Sequence, residues 1–286
     1  MHTSTTRIRH SSFVILLAIH SLVPPPLPIS PRDLAPGDLR SAELDLSTFE
    51  ITRIRSIDDP LFETAYGLLW DEFGWKHEME LRDTLKQRFA LAPEMLYELV
   101  LVRKDGSPAA VRDHTAIAAA DEVVVHLSHN LVLPDWRRSG LAGWMRALPL
   151  LTARELLPAA PITLVAEMEY ASGHDPKGDV RLQAYGRAGF RKVDPSVVRY
   201  HQPDFRSSAE IDASSGPKPV PFQLLLRKVG RENEESISAA DVRRIVAALY
   251  EMYGRQFRPE DMRHPALNLD TYPSPEMKIA LLPPTA

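Results

Sequence analysis

The chain has no cysteine among its 286 residues, which excludes disulfides, thiolate metal sites and a cysteine nucleophile. An excess of charge of one sign is missing too. Its 34 basic and 38 acidic residues leave a net charge of −4, so there is no basic field to hold a nucleic acid. The apolar run near the N-terminus, from Phe13 to Ile19, is stopped by His20 and is far too short to cross a bilayer as a helix. What is present, 44% hydrophobic and 25% charged residues, is the composition of an ordinary globular protein of one or two domains. Its core needs no covalent staples. No internal repeat is visible.

The 25 prolines cluster outside the central region. Arg7, Arg9 and His10 ahead of the apolar run resemble the start of a signal peptide. His20, the Pro-rich stretch at 24–28 and the lack of a clear small-x-small cleavage site favour a disordered leader or an over-extended start. Residues 31–46 read as a linker. The organisation expected is therefore a leader and linker over 1–47, a folded domain over 48–230, and a C-terminal helical extension with an irregular tail over 231–286.

Phe49 to Ile54 alternates as a first strand, and Asp58-Asp59-Pro60 opens an amphipathic helix reaching about Phe73. A second helix, Glu78 to Phe89, follows. Asp105-Gly106 between the runs 97–103 and 109–119 predicts a hairpin. Arg112, Asp113 and His114 on its second strand face either solvent or a cleft. Val123 to Leu133 reads as one long strand, with His126, Ser128 and Asn130 on one face and Leu127, His129 and Leu131 on the other. That alternation points His126 and His129 apart, and no metal site is expected. A helix from Gly140 should bend or break at Pro149. Ile162 to Met168 is the next strand, with Glu167 and Glu169 at its end, either solvated or facing the cleft. Val197 to Tyr200 and Phe222 to Val229 complete the sheet around a mobile loop at 207–221. Ser238 caps a further helix whose stripe, Val242, Ile245, Val246, Leu249, Tyr250 and Tyr253, covers the domain or meets a second copy, giving a homodimer.

Two stretches carry chemistry. Arg137-Arg138-Ser139-Gly140-Leu141-Ala142-Gly143 joins the long strand to an apolar helix, bringing two guanidinium groups, free first-turn amides and small residues together, as a diphosphate requires. Arg181 to Phe190, RLQAYGRAGF, is a helix closed by Gly189. The spacing R-x-x-G-x-A in the first and the Tyr185…Gly189-Phe190 pattern in the second resemble the GNAT (Gcn5-related N-acetyltransferase) superfamily. The resemblance covers about two thirds of the chain.

That resemblance implies an α/β fold, a mixed and mostly antiparallel sheet splayed between its fourth and fifth strands and flanked by helices. It implies an N-acetyltransferase that moves an acetyl or other short acyl group from acetyl-CoA, its cosubstrate, to an amine acceptor of unknown identity. With no cysteine to carry the group, transfer should be direct. The pantetheine arm would lie along the backbone of Leu131, Val132 and Leu133, and the diphosphate on Arg137, Arg138 and the amides of Ser139, Gly140, Leu141, Ala142 and Gly143. Tyr185 would assist the departing thiolate. His126, eleven residues before Arg137, falls where histone-acetylating members have a glutamate base; a catalytic His126 and one merely bonded in the sheet both stand open, with Glu167 as the alternate base. Trp70, Phe73, Trp75 and His77 are acceptor-wall or core aromatics. Many members have an Asn seven residues before the tyrosine, where this chain has Gly178. A coenzyme-A-dependent enzyme would belong in the cytoplasm. The alternatives are a catalytically silent acyl-CoA sensor and a secreted contact protein on the same fold.

Overall fold

Asp105 and Gly106 both take positive φ, 50° and 77°, the left-handed pair that closes a two-residue hairpin in register with the natural twist of strands. They join the two longest strands, and the rest of the sheet is laid on that hairpin. The structure, a computed structural model, describes residues 29–76, 78–91, 93–170 and 176–286. The signal-like stretch 1–28, His77 and most of the polar loop before Lys177 lie outside them.

In chain order the elements are helix α1 (Leu39–Ala42), strand β1 (Glu50–Ile54), helices α2 (Phe62–Phe73) and α3 (Arg82–Phe89), and strands β2 (Met95–Lys104), β3 (Ser107–Ala119), β4 (Glu122–His126) and β5 (Asn130–Val132). Then come α4 (Leu141–Ala147), α5 (Pro149–Leu156), β6 (Ile162–Glu169), α6 (Pro176–Arg187), β7 (Arg191–Val193), β8 (Tyr200–Gln202), α7 (Ser208–Asp212) and β9 (Val220–Lys228). The chain closes with β10 (Ser236–Ser238), α8 (Ala239–Gly254), α9 (Pro259–Met262) and β11 (Lys278–Leu282).

The strand order is β1-β2-β3-β4-β6-β9-β7-β11-β10, with β5 on β3 and β8 on β9. Among the described residues every pairing is antiparallel except β4 with β6, which run parallel from Val123/Ile162 to His126/Val165. This is the mixed, mostly antiparallel sheet that the family resemblance implies.

Strand alternation sorts the core into two layers. Val100, Val102, Val123, Val125, Leu164 and Ala166 face α4, α5 and α6, whereas Leu99, Leu101, Val124 and Val165 face α2, α3 and α8. His126 and Glu167 follow the parity of Val124 and Val165, so both belong to the α8 side.

Several local expectations change. The run 123–133 is two strands, because residues 127–129 leave the ladder between β4 and β5. Arg112, Asp113 and His114 are buried rather than solvated, since β3 lies inside the sheet with helices on both faces. Helix α3 starts only at Arg82, which leaves Glu78 and Glu80 on the connection before it. Pro149 splits the signature helix: it stands at the first position of α5, and the amide of Leu148 makes the last bond of α4 to Trp144 O at 2.9 Å.

Residues 31–46, read above as a linker, are packed, with Leu34, Ala35 and Ser41 buried. The loop at 207–221 contains α7, fixed by a reciprocal Ser207/Glu210 cap. The tail ends in β11, paired to β7 and β10. Helix α8 begins at Ser238, whose Oγ accepts from Asp241 N at 3.1 Å, and buries Val242, Ile245, Val246 and Leu249 against its own sheet. Its apolar stripe is thus used within the chain rather than offered to a second copy.

Candidate functional site

Beyond His126 the parallel pair comes apart. The amide of Leu127 still bonds Val165 O at 2.8 Å, but Asn130 to Val132 pair with Ala110 to Arg112 of β3, while β6 continues along β9 to Glu169. The sheet therefore opens as a V between β5 and the end of β6. A cavity of about 250 Å³ fills the opening. Its walls come from both sides of the sheet: Arg146, Arg181, Ala184 and Tyr185 on one, and Phe73, Glu78, Glu80, Gln202, Phe205 and Phe222 on the other, with residues 126–130 and 167–169 between them. One cavity is thus walled from both sides of the sheet.

The histidine–carboxylate pair sits at its waist. His126 Nε2 is 2.9 Å from Glu167 Oε2, and His126 Nδ1 is 3.1 Å from Ser128 Oγ. Glu167 also accepts from Gln202 Nε2 and from the Tyr253 hydroxyl, each at 2.8 Å, and from the Tyr200 hydroxyl. Burial would raise the Glu167 carboxyl, but His126 and the tyrosine hydroxyls outweigh it and hold the group below its ordinary range. An ionised carboxylate only accepts, so Nε2 of His126 carries the hydrogen between them and Nδ1 is the ring's basic atom. Burial keeps Tyr200 and Tyr253 protonated, and the Glu167 charge adds to the effect.

A second network lies behind the first. His129 bonds Asp113 Oδ1 through its amide at 2.8 Å and through Nδ1 at 2.9 Å, and its Nε2 is 2.7 Å from Glu78 O. Tyr97 donates to Asp113 at 3.0 Å, and Arg88, fully buried, pairs with Glu80 at 2.8 Å. Against the cost of burial, Asp113 raises His129 to about 9, and His129 and Arg88 in turn hold Asp113 low. The break in the strand at 127–129 lets His126 and His129 reach one cavity despite the alternation expected. Among the described residues no group of three or more His, Asp or Glu is placed to hold a metal.

Tyr185 lies half-buried on the opposite side, its ring edge-on to Phe190 at 4.9 Å. Glu169 is exposed at the rim, 3.9 Å from Arg181. Of the aromatics singled out from the sequence, Phe73 lines the cavity 4.8 Å from the His129 ring, Trp70 stacks on Tyr66 away from it, and Trp75 is 72% exposed. Tyr253, Tyr200, Gln202 and His129 were not legible as site residues, whereas Asp113 stood open between solvent and a cleft. Tyr253 had a signal, as one of two hydroxyls, with Tyr250, at the end of an apolar stripe.

The glycine-rich turn holds the least expected arrangement. Gly140 takes φ 101° at the start of α4, and Arg137 and Arg138 are exposed beside it, Arg137 Nε donating to Val132 O at 3.3 Å. The space its glycines leave is taken by the chain itself. A Cβ on Gly140 would come within 2.6 Å of Arg40 O, and one on Gly143 would collide with the Ser41 side chain. Ser41 Oγ donates to Gly140 O at 2.6 Å, Trp144 Nε1 to Ser41 O at 2.8 Å, and Arg146 to Asp38 at 2.6 Å. Farther back, Asp33 pairs with Arg154 of α5, and Gly37 lies against the Arg187 carbonyl at the end of α6. Residues 33–41 thus bridge the groove between α4–α5 and α6.

No protein-family model and no curated protein sequence matches the chain. Solved structures do. One is a GNAT family acetyltransferase from Elizabethkingia anophelis with acetyl-CoA bound, at 15% identity and a TM-score of 0.39 over 63% of this chain and 98% of that one. A second is a putative acetyltransferase of the GNAT family from Desulfovibrio desulfuricans, at 17% identity and 0.38 over 63% and 99%. A third is Arabidopsis thaliana Naa50 in complex with a bisubstrate analogue, at 9% identity and 0.41 over 63% and 99%. At these identities and scores the likeness carries no argument of its own, and both fold and chemistry rest on the strand order and the side chains of this chain. No helix of the described residues is long and apolar enough to cross a membrane.

Proposed function

We propose that the chain is a GNAT-type N-acyltransferase that passes an acetyl or other short acyl group from its coenzyme A thioester directly to an amine. The observation that carries the proposal is the single cavity at the parting of the sheet, lined by Tyr185 on one side and by the His126–Glu167 pair between the strands. Donor and acceptor can enter from opposite faces and meet in a confined space, the arrangement that turns a bimolecular encounter into a positioned one.

In this reading the thioester lies between β5 and β6, with the pantetheine along the backbone of Leu131 to Leu133. His126 Nδ1 takes the amine proton while Glu167, held by its other donors, stabilises the imidazolium that forms. Tyr185 supplies a proton to the departing thiolate. Asn130 Oδ1, buried on the cavity wall without a hydrogen-bond partner among the described residues, is an acceptor for the incoming N–H.

The diphosphate would meet Arg137, Arg138 and the amides of Gly140 and Ala142 once residues 38–41 have moved off that turn; the amides of Ser139, Leu141 and Gly143, expected to join them, already donate to Trp136 O, Ser139 Oγ and Gly140 O. Calorimetric titration of the full chain with acetyl-CoA tests the donor site. Binding that Arg137→Ala weakens, followed by thiol release on adding an amine panel, is the expected outcome. Absence of binding at millimolar acetyl-CoA would overturn the proposal.

A further inference from the structure

We infer that Ser128, His126 and Glu167 form a nucleophilic triad, and that the chain carries a second activity: acyl transfer to Ser128 Oγ and hydrolysis of the resulting ester when no amine is present. The proposal takes only the identity of the natural acyl donor from the transferase reading.

The three groups stand in the order that nucleophilic catalysis needs, nucleophile to base to orienting carboxylate. Ser128 Oγ is 3.1 Å from His126 Nδ1, and His126 Nε2 is 2.9 Å from Glu167 Oε2. Gln202 and Tyr253, each at 2.8 Å, fix Glu167 in turn. Because the carboxylate takes the Nε2 hydrogen, the atom left to accept a proton is the one that faces the serine hydroxyl.

Ser128 lies on the stretch that leaves the ladder between β4 and β5, so its side chain is half-buried on the cavity wall rather than locked in the sheet. Arg88 Nη1 stands 3.4 Å from Oγ and brings a buried positive charge to the oxygen that must become nucleophilic. Until an amine arrives, the hydroxyl on the basic nitrogen is this one.

The step balances. The Oγ–H proton passes to His126 Nδ1 as Oγ bonds the acyl carbon, and the C–S bond breaks with the electron pair leaving on sulfur. The imidazolium proton then goes to the thiolate, giving a serine ester and a free thiol. Water, deprotonated by the same nitrogen, adds to the ester and releases the carboxylic acid and Ser128.

The full chain, without amine, is mixed with p-nitrophenyl acetate or with acetyl-CoA and quenched in acid. The expected result is a burst of p-nitrophenolate and a mass increase of one acetyl group on the peptide holding Ser128. A fluorophosphonate ester should label the same residue. Ser128→Ala and His126→Ala should each lower ester hydrolysis by about 100-fold or more, with melting curves showing that both variants are folded. Acetyl or phosphonate groups only on other residues, or hydrolysis by Ser128→Ala at the native rate, overturns the triad. The two proposals fail separately. Ester adduct at Ser128 without acetyl-CoA binding keeps the triad and removes the transferase, whereas amine acetylation undiminished in Ser128→Ala with no adduct does the reverse.

Discussion

The hydroxyl of Tyr253, on the helix near the end of the chain, donates to Glu167 at 2.8 Å and lies 3.2 Å from Nε2 of His126. This helix therefore holds the site's carboxylate from behind rather than being an appendage to a finished domain. Because Glu167 keeps three other donors, Tyr253→Phe should cost only about 0.5–1.5 kcal/mol of stability, the net worth of one hydrogen bond, measured by denaturant titration. Glu167→Gln removes the charge that stabilises a protonated His126. It should lower turnover by about 10²–10⁴-fold while leaving acetyl-CoA affinity within a factor of a few. Equal activity in Glu167→Gln would remove the carboxylate from the mechanism.

The roof over the glycine-rich turn gives a second expectation. Asp38→Ala with Ser41→Ala removes the bonds to Arg146 and Gly140, so hydrogen exchange over residues 31–46 should quicken. If the diphosphate lands there, acetyl-CoA binding should tighten as well. Gly143→Ala should loosen the same segment by collision with Ser41. An unchanged acetyl-CoA affinity in the double variant would place the diphosphate elsewhere.

Tyr185→Phe separates a transferase from a silent acyl-CoA sensor. The enzyme should lose about 10–100-fold in turnover with acetyl-CoA affinity unchanged. A sensor would have no turnover to lose, so stopped-flow thiol release is the deciding measurement.

His129 predicts a pH dependence of stability. Its pKa rises from an unfolded value of about 6.5 to about 9 in the fold, so the folded chain binds the extra proton. The stabilisation is fully present below about 6.5 and is lost as pH rises through about 9. Thermal melts from pH 6 to 10 should show a falling midpoint, and the fall should be shallower in His129→Gln. Parallel slopes for the two proteins would show that His129 is not the titrating group.

Where the physics is local, the sequence was explicit. The Asp105-Gly106 hairpin, the Ser238 cap and the break at Pro149 each depend on a few neighbouring residues, and each stands where its residues put it. A motif and a strand pattern singled out Tyr185, His126 and Glu167, and all three line the cavity; their roles there are part of the proposal.

Other features depend on contacts between distant segments. Whether Arg112, Asp113 and His114 face solvent or a cleft stays open until helices cover both faces of β3. Residues 31–46 look like a linker because the groove that holds Leu34, Ala35 and Ser41 is built by helices a hundred residues later. The tail's last strand needs β7 and β10 before it has partners. Caps, turns and proline breaks are short-range and written into composition and spacing. The four donors around Glu167, the roof on Gly140 and the meeting of Ser128 with His126 depend on where the strands part, which is settled only when distant elements pack.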